Sequence, residues 1–121
     1  MNLSIYSENK FTLLFSLTTQ PSVVTIPNMD ARLLLNERHT ISETAFVELV
    51  VWQLPLPLPG SCHSFKYRLA LVVNGACVLR YDNESGKGDH KHIGKDENSY
   101  SFTTPKALLD DFWNDVDGWR C

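Results

Sequence analysis

Cysteine is scarce in this chain: Cys62, Cys77 and Cys121 are scattered and form no C-x-x-C pair. That spacing argues against a disulfide framework and a thiolate zinc site, leaving core or incidental thiols. A membrane helix needs about 20 apolar residues, and the run from Leu49 to Leu58 is short and broken by Gln53, Pro55 and Pro57. The start of the chain lacks the basic residues, continuous apolar stretch and small-residue cleavage site of a secretory signal, since Glu8 and Asn9 interrupt it early. These absences lead to the expectation of a cytoplasmic protein that does not span a membrane. Internal repeats are also missing, and a net charge of -3 does not by itself suggest nucleic-acid binding.

What is present is the composition of an ordinary folded domain, with 43% hydrophobic and 21% charged residues. A chain of 121 residues fits one domain and buries roughly two thirds of its unfolded surface. Residues 1–28 mix Ser, Thr, Asn and Gln with short apolar runs and end in Pro27 and Asn28. They read as an extension, or as a start-site artefact, ahead of a single domain over 29–121 that opens at Met29.

From Arg32 the pattern predicts strands over 32–41 and 45–54, the second apolar on both alternating faces as a central strand is. Pro55, Pro57, Pro59 and Gly60 end it. Residues 65–73 alternate, and Asn74-Gly75 then signals a hairpin, because both positions of a type I′ turn need positive φ. With a two-residue loop, Arg68 falls opposite Tyr81, on the face away from Arg80 and Asp82; a bulge reverses that assignment. Further strands are expected over 76–82, 89–94 and 100–103, with a polar turn over 95–99. Thr104 and Pro105 then open a helix carrying Leu108, Leu109, Phe112 and Val116 as its apolar stripe, which Gly118 can stop. The fold class is α+β: an antiparallel sheet of about five strands with one C-terminal helix packed on it.

Charge is unevenly placed. Between Gly86 and Lys95 stand Lys87, Lys91 and Lys95 against Asp89, a cationic stretch in an acidic chain. The segment from Arg80 to His92 gathers the side chains of acid-base work on phosphodiesters. His90 and His92, two apart, point the same way in an extended chain and suit proton transfer. Lys87, Lys91 and Arg80 can neutralise a phosphate, and Gly86 and Gly88 let backbone amides approach an anion. Asp89 or Asp82 can orient a histidine, and Tyr81 can donate a proton or stack on a base. The catalytic candidates are therefore His90, His92, Asp89 and Tyr81; the substrate-binding candidates are Arg68, Arg80, Asp82, Asn83, Lys87 and Lys91.

Plainer readings stand beside these. Gly86 to Gly88 lacks the spacing of a phosphate-binding loop and fits a simple turn. The histidines can be solvated loop residues or, with Asp89, ligands of zinc or manganese. Asp82-Asn83 can end a strand in an Asx turn. Arg68 and Tyr67 fit a strand's charged side and its core side, and the acidic residues of the helix fit a solvated face.

The residues Phe65-Lys66-Tyr67-Arg68, the block from Arg80 to His92, Tyr100-Ser101-Phe102 and Leu109 with Asp111-Phe112 resemble the TumE family of toxins of bacterial and archaeal toxin-antitoxin systems. The likeness runs from about Ala45 to Val116. It implies a small toxin that arrests growth and a helix-turn-helix antitoxin as its partner. The leading expectation is a metal-independent endoribonuclease acting on an RNA target without a cofactor. His90 and His92 would be its acid and base; its ribonuclease character is an analogy with other small-sheet toxins. A non-enzymatic toxin that binds a protein or nucleic acid, and a metal-assisted hydrolase, are the alternatives.

Overall fold

The structure is a computed structural model and describes residues 30–120. Residues 33–121 separate as a unit of their own. The expected extension over 1–28 lies outside the described residues. Six strands follow one another in the sheet in chain order: β1 (Arg32–Thr40), β2 (Ala45–Gln53), β3 (Phe65–Val73), β4 (Ala76–Glu84), β5 (Gly88–Ile93) and β6 (Asp96–Ser99). Strands β2 to β6 pair antiparallel. Helix α1 (Pro105–Arg120) closes the chain.

Alternation decides which face is covered. Val47, Leu49 and Val51 of β2, Tyr67, Leu69 and Leu71 of β3, and Leu79 and Tyr81 of β4 are buried against Leu108, Phe112 and Val116 of α1. Large apolar side chains buried in this way contribute about 1.5–3 kcal/mol each. Thr104 caps the helix, its Oγ1 accepting the Ala107 N–H at 3.1 Å. The helix runs past Gly118 to Arg120, so that glycine does not stop it.

Two further expectations change. Residues 96–99 form a strand rather than a polar turn, because Gly94, at φ 59°, and Lys95 close a tight hairpin that pairs Ile93 with Asp96. Residues 100–103 lie outside the ladder; Tyr100 and Phe102 turn onto the core instead.

Asn74 and Gly75 take the expected positive φ at the β3–β4 turn. A bulge between Leu71 and Val72 then shifts the register, so Arg68 pairs with Asp82 rather than Tyr81. The extra residue in β4 moves every later side chain to the other face relative to a plain two-residue hairpin. Arg68 therefore shares a face with Arg80 and Asp82.

Candidate functional site

Directly paired residues of neighbouring strands share a face. Asp82 pairs with His90 and Arg80 with His92, while Tyr81 pairs with Lys91 and Asn83 with Asp89. The sheet thus divides the sequence candidates in two. Arg68, Arg80, Asp82, His90 and His92 stand on the face opposite α1. Tyr81, Asn83, Asp89 and Lys91 stand on the face that packs on α1.

On the helix face the polar side chains are tied to the fold. The Tyr81 hydroxyl donates to Asp115 Oδ2 at 2.5 Å, and Lys91 Nζ lies 2.8 Å from the same oxygen. Together they fasten α1 to the sheet, so part of the acidic helix face is a docking surface rather than a solvated one. Asn83 is 1% exposed and spends its amide on the backbone of β3, accepting from Tyr67 N and donating to Phe65 O. Asp89 Oδ2 accepts the Tyr67 hydroxyl at 2.6 Å and His63 Nε2 at 2.8 Å. His63 Nδ1 in turn accepts the Phe65 N–H at 3.1 Å, which fixes the ring as the Nε2–H tautomer. Its ring stacks on Phe102 with centroids 3.9 Å apart. Asp89 thus holds His63, a residue outside the candidate set. Burial, followed by hydrogen bonds to carboxylates, pushes the phenols of Tyr67 and Tyr81 well above the usual tyrosine range.

The opposite face carries the polar network open to chemistry. Arg80 Nη2 lies 3.1 Å from His92 Nε2. A guanidinium only donates, so in this contact the nitrogen accepts; Asp82 Oδ1 lies 3.7 Å from the same nitrogen. Arg80 Nε sits 3.0 Å from Asp82 Oδ2, off hydrogen-bond geometry, as an ion pair. His90 Nε2 is 2.7 Å from the Lys87 carbonyl oxygen and must carry a proton there, since a carbonyl only accepts. Its Nδ1 is shielded from solvent, with Glu97 Oε2 3.3 Å away. The two imidazole centroids are 6.4 Å apart. Arg68 Nη1 is 3.8 Å from Glu48 Oε1, which sets Arg68 beside β2 rather than among the histidines.

The glycines of the β4–β5 turn serve backbone packing. Gly86 N donates to Pro59 O at 2.7 Å and Lys87 N to Glu84 O at 3.1 Å, so these amides are already engaged. A Cβ on Gly60 would stand 3.4 Å from Gly86 Cα, and Gly60, Gly86 and Gly88 all have positive φ. The proline loop and the turn are therefore seated backbone against backbone. Lys87, at the turn, reaches Glu97 Oε2 at 3.3 Å.

Sequence reasoning missed Glu97, His63 and Lys66. Glu97 was hidden in a supposed turn; recognising Gly94-Lys95 as a hairpin loop would have placed it opposite His92. Lys66 Nζ donates to Asn83 O at 2.5 Å, and burial holds its ammonium below the ordinary lysine range. No helix among the described residues is long and apolar enough to cross a membrane.

A family model described as "Toxin TumE" matches residues 22–120. Neither a curated protein nor a solved structure matches the chain.

Proposed function

The chain belongs to the TumE toxin family, and from that premise we propose that it is an RNA-directed toxin acting as a small metal-independent endoribonuclease. Membership makes it the toxin of a toxin-antitoxin pair, with an antitoxin as partner. The proposed active surface is the sheet face of Arg80, Asp82, His90 and His92, with Lys87 at its rim.

The observation that carries this reading is the contact between Arg80 and His92. It turns an imidazole lone pair toward a cation suited to phosphate. A phosphodiester that recruits the guanidinium frees His92 Nε2 to take the proton of the 2′-hydroxyl as that oxygen attacks phosphorus. His90, in its imidazolium form with both ring nitrogens protonated, gives the Nδ1 proton to the departing 5′-oxygen. Arg80 and Lys87 hold the charge that builds on the phosphoryl oxygens, and Asp82 keeps Arg80 in place. Tyr81, Asn83, Asp89 and Lys91 are read as structural, and Arg68 as an outlying contact for the RNA backbone.

One observation favours the non-enzymatic binding reading. Arg80, Arg68 and Lys87 each already sit against a carboxylate, and a nucleic-acid surface usually leaves its cations freer. Induced expression of the full chain separates the two. Wild type should arrest growth and fragment RNA, and His92→Ala and His92→Gln should do neither. Arrest by His92→Gln with RNA intact would favour the binding toxin.

RNA as target places the proposed action in the cytoplasm. The antitoxin is proposed to be a helix-turn-helix protein that docks at the end of α1, where Trp119 is 46% exposed. Trp113 is a lesser anchor there, being half-buried against Phe112 and His39.

A further inference from the structure

Three nitrogens converge on one carboxylate oxygen. Glu97 Oε2 lies 3.3 Å from Lys87 Nζ, 3.3 Å from His90 Nδ1 and 3.9 Å from His92 Nε2. The three nitrogens come from a turn and a strand, while the acid comes from β6. That four-residue strand is exposed along its whole length. The Glu97 side chain is 40% exposed.

We propose that Glu97 occupies the phosphate subsite of this surface as a displaceable internal anion, and that a substrate phosphodiester binds by exchanging one of its oxygens for Glu97 Oε2. The inference rests on the reading of this face as a phosphate site, and it adds the position of the phosphate and the group that competes for it. Lys87 supplies a cation and His90 Nδ1 a ring nitrogen that donates when protonated, while His92 Nε2, which accepts from Arg80, borders the subsite on the side of the attacking hydroxyl. A carboxylate is the anion a protein can supply from its own chain. The Lys87 contact also holds the Glu97 carboxyl below the usual carboxylate range, so the plug is charged when substrate arrives.

The arrangement explains why His90 Nδ1 is shielded in a surface network. Glu97 covers it, and displacement of Glu97 uncovers the nitrogen that faces the leaving oxygen. Exchange also keeps the charge of the subsite balanced, because one anion leaves as another enters. Exposed ion pairs are weak enough to be traded in this way.

Titration of the full chain with inorganic phosphate, followed through the histidine ring signals in NMR spectra, tests the proposal. Glu97→Gln keeps the side-chain shape and removes the competing charge. It should bind phosphate about tenfold more tightly than wild type, a difference of about 1.4 kcal/mol, with the His90 and His92 signals shifting together. Glu97→Ala should behave alike, and adding His92→Ala to Glu97→Gln should abolish the gain. Equal or weaker binding by both single variants, or shifts confined to other residues, would overturn the proposal and make Glu97 an orienting partner of the histidines. RNA cleavage by the same proteins is read separately. Tighter phosphate binding with no cleavage by any variant keeps the subsite and removes the ribonuclease reading. Cleavage by wild type without a phosphate gain in Glu97→Gln does the reverse.

Discussion

Asn83 accepts the backbone N–H of Tyr67 on its side-chain oxygen at 3.0 Å, a bond that a neighbouring strand would ordinarily supply. Regular pairing of β3 with β4 ends at Arg68 and Asp82, and the Asn83 amide continues it by donating to Phe65 O at 2.7 Å. Asn83→Ala leaves a buried donor and acceptor unmet, a loss of about 2–4 kcal/mol. Asn83→Asp should cost at least as much, since a carboxylate oxygen would face the Phe65 carbonyl. Denaturant midpoints of the purified variants check both.

Tyrosine ionisation should unfold the protein at high pH. Burial first, then hydrogen bonds to Asp89, Asp115 and Asp111, raise the phenols of Tyr67, Tyr81 and Tyr100. A folded-state value above the unfolded one gives stability that is complete below about pH 10 and declines as pH rises past it. Absorbance of tyrosinate and circular dichroism, recorded on one alkaline titration, should change together. Phenolate appearing in these three residues while the fold persists would contradict the assignment.

Gly60 should not tolerate a side chain. Its φ of 86° costs an L-residue about 1–2 kcal/mol, and a Cβ there stands 3.4 Å from Gly86 Cα. Gly60→Ala is expected to lower stability by about 1–3 kcal/mol and to loosen the turn carrying Lys87. Thermal unfolding reads the first effect. The second appears as weaker phosphate binding at temperatures where the variant is still folded.

Arg80 and His92 should act as a unit. Arg80→Ala and His92→Ala are each expected to lower RNA cleavage by about 10²–10⁴-fold, and the double variant by little more than the worse single one. Arg80→Lys should recover little, because one ammonium cannot reach Asp82 and His92 in the same fork. Single-turnover cleavage rates decide the matter, and multiplicative losses would show two independent residues.

Much of the architecture was legible in the sequence. The alternation of 65–73, the Asn74-Gly75 turn and the Thr104 cap each rest on a local rule, and the structure has all three. The family likeness was legible too, in the block from Arg80 to His92. The bulge between Leu71 and Val72 was not, since one extra residue leaves no mark in an apolar strand. It decides which candidates stand together: Arg68 joins the histidine face. The partners of Asp89 were equally hidden, because His63 lies 26 residues away in a loop. Asp96 to Ser99 carry no apolar alternation, so a strand there showed only through its hairpin turn, and with it the place of Glu97.

The strand order bears on how this chain reaches its folded state. Among the described residues each strand lies beside its sequence neighbour, so each hairpin can form before the next is made. Local pairing of this kind lowers the loop-closure cost of each step. The order also follows the direction of synthesis, and α1 comes after the strands. Until that helix emerges, Val47, Leu49 and Leu69 of the growing sheet lack Leu108, Phe112 and Val116, their partners among the described residues. Helix α1 therefore completes the described core, and a molecule truncated before Leu108 would uncover Val47, Leu49 and Leu69 to chaperones and proteases rather than leave a smaller working protein.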